Sequence, residues 1–323
     1  MKIVTSAISA LAVAAALCVP PDAEAAGYPH ELDVEHSFGR PAAHGPVAVF
    51  PIYRKVRAKT MEYLTLDEAT RKRAIRITEK EGGSVPEVRM HNRGKLPIYI
   101  AAGEVVLGGK QDRMVSHDVL IAPGAKMTVS VRCVEHGRWS GSNHEFRSAG
   151  AMGGNKTKLA VQFKGQSEVW QEVARQNADN SATSATGSFR ASLDKGEIKR
   201  KLKAIARVVL PALEGRNAVG MIVAVNGEVF AIEMFGTPKL FSKMKRKLLD
   251  SFVLDALAIK DLGLPPPSAS TIVDFYRSIL VAQAEELKRY KDNKNMKREN
   301  RRGALNDSLD ESGELIHRSL LAY

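Results

Sequence analysis

The run Val219–Phe235 restricts the fold more than any other stretch of this chain. Val219–Val225 and Glu228–Phe235 flank Asn226-Gly227, a pair suited to the two positive φ angles of a type I′ turn, so the run reads as a β-hairpin. Side chains alternate across a strand. Met221, Val223 and Val225 fall on one face, and Ile222 and Ala224 on the other. Neither face is polar, so the hairpin needs cover on both sides and a central place in a sheet. Helices precede and follow it. Thr237-Pro238 supplies an N-cap and a proline at the first helical position, and Leu240, Met244, Leu248, Phe252 and Leu257 keep helical spacing to about Ile259. Asp194–Leu213 repeats the pattern with Ile198, Leu202, Ile205, Val209 and Leu213, and Gln166–Asn177 with Val169, Trp170, Val173 and Ala174. Pro265–Pro267 breaks the chain, a last helix starts near Ser270 and is apolar to Ala284, and Gly313–Tyr323 reads as a strand returning to the sheet.

The N-terminal half has a different texture. Val47–Tyr53, Ala74–Thr78, Val85–His91 and Pro97–Ala102 read as strands, with Gly82-Gly83 and Asn92-Arg93-Gly94 as turns and Asp67–Arg73 as a short helix. Short strands in quick succession predict a sandwich or a barrel. The expected class is therefore α+β: a β-rich sandwich or barrel-like N-terminal half, with helices packed around the C-terminal hairpin. Three stretches read as irregular: the histidine-dotted lead-in Ala26–Gly45, a long loop over Ser140–Thr157, and a mobile linker over Asn180–Gly187.

The chemistry concentrates in Gly103–Trp139. Gly108-Gly109 predicts a sharp turn at positive φ. Lys110, Gln111, Asp112 and Arg113 follow it directly. Val119–Ile121 reads as a buried strand, Pro123-Gly124 as a type II turn, and Met127–Val131 as a half-buried strand delivering Cys133, Glu135, His136, Arg138 and Trp139. Antiparallel pairing would bring Lys110–Arg113 and Cys133–Trp139 to one end of a sheet. Lys110, Arg113 and Arg138 then offer cations, Gln111 and Asp112 polar edges, and Trp139 a stacking face, with Glu104 and Glu135 completing a candidate ligand-binding set. The same residues also suit a structural network in which Arg113 and Arg138 pair with Glu104, Asp112 or Glu135. Cys133 is the candidate nucleophile, but Glu135 rather than His136 shares its strand face, so His117 or His144 would have to act as base.

The motif LGGKQDR, followed by DVLIAPGAKMTVSVRCVEHGRW, resembles the core of the ARG and rhodanese-phosphatase-superfamily-associated protein domain, in which ARG stands for ADP-ribosylglycohydrolase. Gly108, Gly109, Gln111, Arg113 and the Cys133-Val134-Glu135…Gly137-Arg138-Trp139 run carry the resemblance, which extends more weakly from about Phe50 to about Leu257, with the last strand as its alternative limit. It implies genomic company with ADP-ribose-removing and rhodanese or phosphatase-type proteins, and through that company a nucleotide or ADP-ribose-like ligand. It implies no defined reaction.

Met1–Ala25 has the parts of a signal peptide: Lys2, the apolar Ile8–Val19 and an Ala23-Glu24-Ala25 cleavage site. Export to the periplasm or beyond is expected, with 26–323 as one α+β domain. Leu17 does not suit a lipidated Cys18, and after cleavage Cys133 is the only cysteine, so no internal disulfide is available. The net charge is +12, and losing Lys2, Asp22 and Glu24 raises it by one. Such a balance favours anionic partners: a small molecule, or a membrane surface met through residues 288–302, which hold eight Lys or Arg against two acids. That segment, extended to 304, is expected as an exposed basic helix or tail. Sequence-specific nucleic-acid binding is not expected, nor a cofactor or metal. The histidines lack HxH, HExxH and CxxC partners, GxSxG and GxGxxG units are missing, and Gly150–Thr157 has Asn155 where a P-loop has glycine, with no strand read before it. Three functions follow: an exported ligand-binding or accessory protein, a Cys133-dependent hydrolase or thiol enzyme, and an envelope-associated structural protein.

Overall fold

A computed structural model describes residues 28–56, 61–80, 86–139, 144–215 and 217–323. The leader 1–25, the Gly82-Gly83 turn and residues 140–143 lie outside the described residues. The hairpin forms as its turn dictates, with Asn226 at φ 49° and Gly227 at φ 79°. Every residue of its first strand, Ala218–Val225, is buried. It occupies the fourth and fifth places of an antiparallel ten-stranded sheet. The order runs His30–Glu31, His36–Phe38, Val47–Arg54, the two hairpin strands, Leu315–Ala322, Gly303–Asp310, Asn293–Asn300 and Glu285–Arg289; Ala42–His44 also pairs with Val47–Arg54. Met221, Val223 and Val225 join a core with Leu202, Ile205, Met244, Leu248 and Phe252 from the helices Gly196–Val209 and Pro238–Ala256. Ile222 and Ala224 pack on the other side with Ile272, Phe275 and Ile279 of the helix Ala269–Leu280. Thr237 caps as its sequence predicts, its hydroxyl accepting from the Leu240 N–H at 3.2 Å. Among the described residues no helix is long and apolar enough to cross a membrane.

The N-terminal strands choose the barrel of the two expected alternatives. Six of them close in the order Arg113–Val115, Lys126–Cys133, Glu87–Asn92, Ile75–Glu79, Glu145–Met152 and Glu104–Gly108. Ile77, Val88, Met90, Val106, Val115, Val129, Val131 and Phe146 belong to its core. The class is α+β.

Four expectations change. The loop predicted over Ser140–Thr157 contains the strand Glu145–Met152, which closes the barrel, and the start of the helix Asn155–Phe163. The strand is poor in branched residues, and its register shifts between Ser148 and Met152, so no hydrophobic alternation announces it. The basic 288–304 segment is neither helix nor tail: it supplies the end of Glu285–Arg289, all of Asn293–Asn300 and the start of Gly303–Asp310. Its inward residues are asparagines, which apolar periodicity does not register. Asn293 and Asn295 donate to the Asp118 carbonyl at 2.9 and 3.0 Å. The Asn180–Gly187 linker is packed: Gly137 N–H donates to Thr186 O at 2.8 Å, and Glu135 bridges Ser188. The lead-in forms strands from His30 onward and buries Leu32 and Phe38.

A buried ionic network ties the segment that follows the barrel strand Arg113–Val115 to the large sheet. His317 bonds Asp118 through Nδ1 at 2.7 Å and Glu233 through Nε2 at 2.6 Å. The Lys158 ammonium donates to Glu233 at 2.8 Å, and Tyr99 OH to Asp118 at 3.0 Å. Burial opposes the imidazolium, but Asp118 and Glu233 outweigh it and push the His317 pKa up to about 9. Lys158 and His317 likewise overcome burial and hold Glu233 down at about 2.

Candidate functional site

The two ends of the Gly103–Trp139 stretch meet at one mouth of the barrel. Arg113 stands opposite Cys133, and Val115 opposite Val131. Val115 and Val131 are barrel-core residues, so Arg113 and Cys133, each two residues nearer the mouth, point inward as well. Their strands get there through the predicted turn, where Gly108 and Gly109 take φ 134° and 52°. A Cβ on Gly108 would lie 2.2 Å from the Glu145 carbonyl oxygen, so only glycine lets the neighbouring strand approach.

Arg113 is 4 % exposed. Its Nη1 donates to the Gln111 carbonyl at 2.9 Å and to Gln111 Oε1 at 3.3 Å. It forms no ion pair among the described residues. Burial pushes its pKa down, against the attraction of the Cys133 sulfur and Glu79. A cavity of about 10 Å³ opens onto it, lined by Glu79, Glu87, Val88, Lys110, Trp139 and Phe146. That is room for one water-sized group. Glu79 accepts from the Lys110 N–H at 2.7 Å, and the Lys110 ammonium stands 5.6 Å over the Trp139 ring, which is exposed.

Arg138 does the work of a clamp. Its Nε donates to Glu135 at 2.7 Å, Nη1 to Gly109 O at 2.9 Å and Nη2 to Asp112 at 3.0 Å. Thr186 OH adds a bond to Glu135 at 2.8 Å. Burial and the nearby Glu135 charge push the Asp112 pKa up, partly offset by the Gly108 N–H and Arg138. On the outer side the same three residues wall a groove of about 390 Å³ shared with Thr183, Ser184, Ser188, Arg190 and Asp194. The structural pairing expected for Arg138 is thus realised, whereas Arg113 stays outside it.

Eight of the nine candidate residues are brought together: Lys110, Gln111, Asp112, Arg113, Cys133, Glu135, Arg138 and Trp139. Glu104 is not with them. It lies at the opposite end of its strand, fully buried, and pairs with Lys247. The attraction of Glu104 and Asp67 overcomes burial and holds Lys247 charged. Cys133 is fully buried, and burial pushes its thiol pKa up despite the pull of Arg113 and Arg132. No histidine bonds it: His136 packs edge-on against Trp170 and His144 bonds Glu79. That environment opposes a resting thiolate. Among the described residues no group of three His, Cys, Asp or Glu side chains could hold a metal ion.

The P-loop look-alike fails for a different reason from the one its sequence gives. A strand does precede Gly153-Gly154, but Asp255 sits where a phosphate would, accepting from the Lys156 N–H at 3.2 Å. Burial pushes the Asp255 pKa up to about 6. Sequence reading also missed the Lys158–Glu233–His317–Asp118 network. Its members are up to 199 residues apart, so no spacing rule could assemble them.

Fold and mouth together define an α+β protein that docks a closed six-stranded barrel onto a broad antiparallel sheet and buries an arginine at the barrel's open end. The sequence matches the family model of the ARG and Rhodanese-Phosphatase-superfamily-associated Protein domain over residues 35–321, and the chain belongs to that family. The match is wider than the span its motifs mark out and takes in most of the ten-stranded sheet. The family's activity is uncharacterised. Comparison with curated proteins and with solved structures finds no match.

Proposed function

We propose that this protein is an exported binding protein for an anionic small molecule, which it holds at the barrel mouth. The observation that carries the reading is Arg113: a guanidinium 4 % exposed, hydrogen-bonded to Gln111 and in no ion pair among the described residues. Burying a charge that no carboxylate contacts directly is unfavourable even with Glu79 nearby, and an oxyanion bonded to the guanidinium relieves it. The cavity of about 10 Å³ sets the terms of entry. One oxygen of a terminal phosphate or carboxylate reaches Arg113, and the body of the ligand lies outside, against Trp139 and beside Lys110. A nucleotide or ADP-ribose-like molecule has both parts, an anionic end and a flat ring. The features of Met1–Ala25 support export, and N-terminal sequencing of the secreted product, with Ala26 first, tests it.

The test of binding is a thermal-shift series with ADP-ribose, nucleotides and phosphosugars. A ligand at one hundred times its Kd stabilises the folded state by about 2.7 kcal/mol. The shift is expected in the wild type, weakened in Trp139→Ala and lost in Arg113→Lys, whose single ammonium cannot reproduce the guanidinium fork. No shift with any anion, or equal shifts in all three proteins, would overturn the proposal. Trp139 lies at the exposed rim, so its replacement keeps the test clear of folding defects.

A further inference from the structure

The barrel's outer wall, at the end away from the mouth, carries a second and differently built feature. Lys126 stands directly opposite His91, and His91 opposite Arg76, across three adjacent strands. In the next outward row Thr128 stands opposite Arg89, and Arg89 opposite Thr78. The residues between the rows are Ile77 and Met90, of the barrel core, and Met127, packed against it; Val88 and Val129, beyond the second row, are core as well, so both rows face outward. Arg93 follows at the edge. These side chains line a groove of about 550 Å³ whose lining, among the described residues, contains no acid.

In the groove Arg76 reaches Glu145 at 2.7 Å, but Glu145 is not among the lining residues. The positive field is strong enough to act on the imidazole at its centre: desolvation, then the charges of Lys126, Arg93 and Arg76, push the His91 pKa below its ordinary value. Neighbouring strands are about 4.8 Å apart and alternate residues about 7 Å apart, so the grid measures roughly 10 by 7 Å. Those dimensions suit several adjacent anionic groups rather than one.

We propose that this groove binds two or more closely spaced phosphate groups, with Arg76, Arg89, Arg93 and Lys126 supplying charge and the Thr78 and Thr128 hydroxyls supplying directed donors. The shared chemistry is a clustered phosphate anion, free in solution or displayed as phosphorylated headgroups. The site is independent of the barrel mouth and would exist without it.

The experiment uses titration calorimetry with inorganic tripolyphosphate and with orthophosphate at matched ionic strength. Co-sedimentation with phosphatidylcholine vesicles, with and without phosphatidic acid, runs beside it. Tripolyphosphate is expected to bind well above orthophosphate. Each cation replaced is expected to weaken binding about tenfold, so Arg93→Glu/Lys126→Glu weakens it about a hundredfold. Thr78→Val/Thr128→Val, which leaves the charge unchanged, weakens it several-fold. The charge-matched control Arg200→Glu/Lys203→Glu, on the exposed face of the helix Gly196–Val209, leaves it intact. Binding of tripolyphosphate assigns the groove to a soluble ligand. Binding to phosphatidic acid vesicles alone, lost in the groove variant, assigns it to headgroups. Binding of neither probe, or an equal loss in the control, overturns the proposal. Trp139→Ala leaves groove binding unchanged, so failure here and failure at the barrel mouth are distinguishable.

Discussion

Replacing His317 with glutamine changes the pH dependence of folding in a direction and an amount that the structure sets. His317 is 1 % exposed and lies between Asp118 and Glu233, with a pKa of about 9 against an ordinary 6.5. A group whose pKa is raised by folding stabilises fully below its unfolded value and loses that contribution as pH climbs through its folded value. The wild type therefore sheds roughly 3 kcal/mol between pH 6.5 and 9, at about 1.4 kcal/mol per pH unit. Two other shifted groups act at the edges of that window. Burial lowers the His117 pKa to about 4, so His117 stabilises above 6.5 and loses its contribution toward acid. Burial raises the Cys133 thiol pKa, so above the unfolded thiol's value of about 8.5 Cys133 also loses stability with rising pH, equally in wild type and variant. The assay is urea unfolding followed by circular dichroism, at constant ionic strength, at pH 6.5, 7.5, 8.5 and 9. The wild-type midpoint falls steadily across the series. In His317→Gln the midpoint is lower at pH 6.5, because Glu233 keeps Lys158 as its charged partner while Asp118 keeps only the neutral donors Tyr99 OH and Ala102 N–H among the described residues, and it changes far less than in the wild type thereafter. A wild-type midpoint independent of pH in that range, or an equal slope in the variant, would refute a charged imidazole in the network.

Two further outcomes follow from the barrel. The peptide carrying Cys133 should take up no iodoacetamide in the native protein and react fully in urea, because the thiol is buried and its pKa raised; mass spectrometry after native labelling decides this. Gly109→Ala should cost about 1–3 kcal/mol in a calorimetric melt, because the glycine sits at φ 52° and a Cβ there would meet Phe146 Cζ at 2.4 Å; an unchanged melting temperature would mean that the turn relaxes freely.

Local chemistry alone determined the hairpin at Asn226-Gly227, the cap at Thr237, the Gly108-Gly109 turn and the helix Gly196–Val209. Each is decided by residues a few positions apart, where backbone preference and apolar spacing act without help from the rest of the chain. The meeting of Lys110–Arg113 with Cys133–Trp139 was legible for the same reason, since Gly108-Gly109 and the strands that follow fix it. The resemblance to the family was legible in the same motif. What those residues do to one another was not. Whether Arg138 or Arg113 takes the carboxylates depends on which wall of a closed barrel each one faces. Closure also makes a strand of Glu145–Met152, whose own sequence shows no alternation. The basic 288–302 run misled because charge was read as solvation, while its Asn293 and Asn295 are drawn inward to Asp118. Long-range hydrogen bonding decides such cases, and the Lys158–Glu233–His317–Asp118 network is the extreme one. Its charges are tolerable inside the protein only because a helix, a connecting segment and two strands bring all four together, and that proximity exists nowhere in the linear chain.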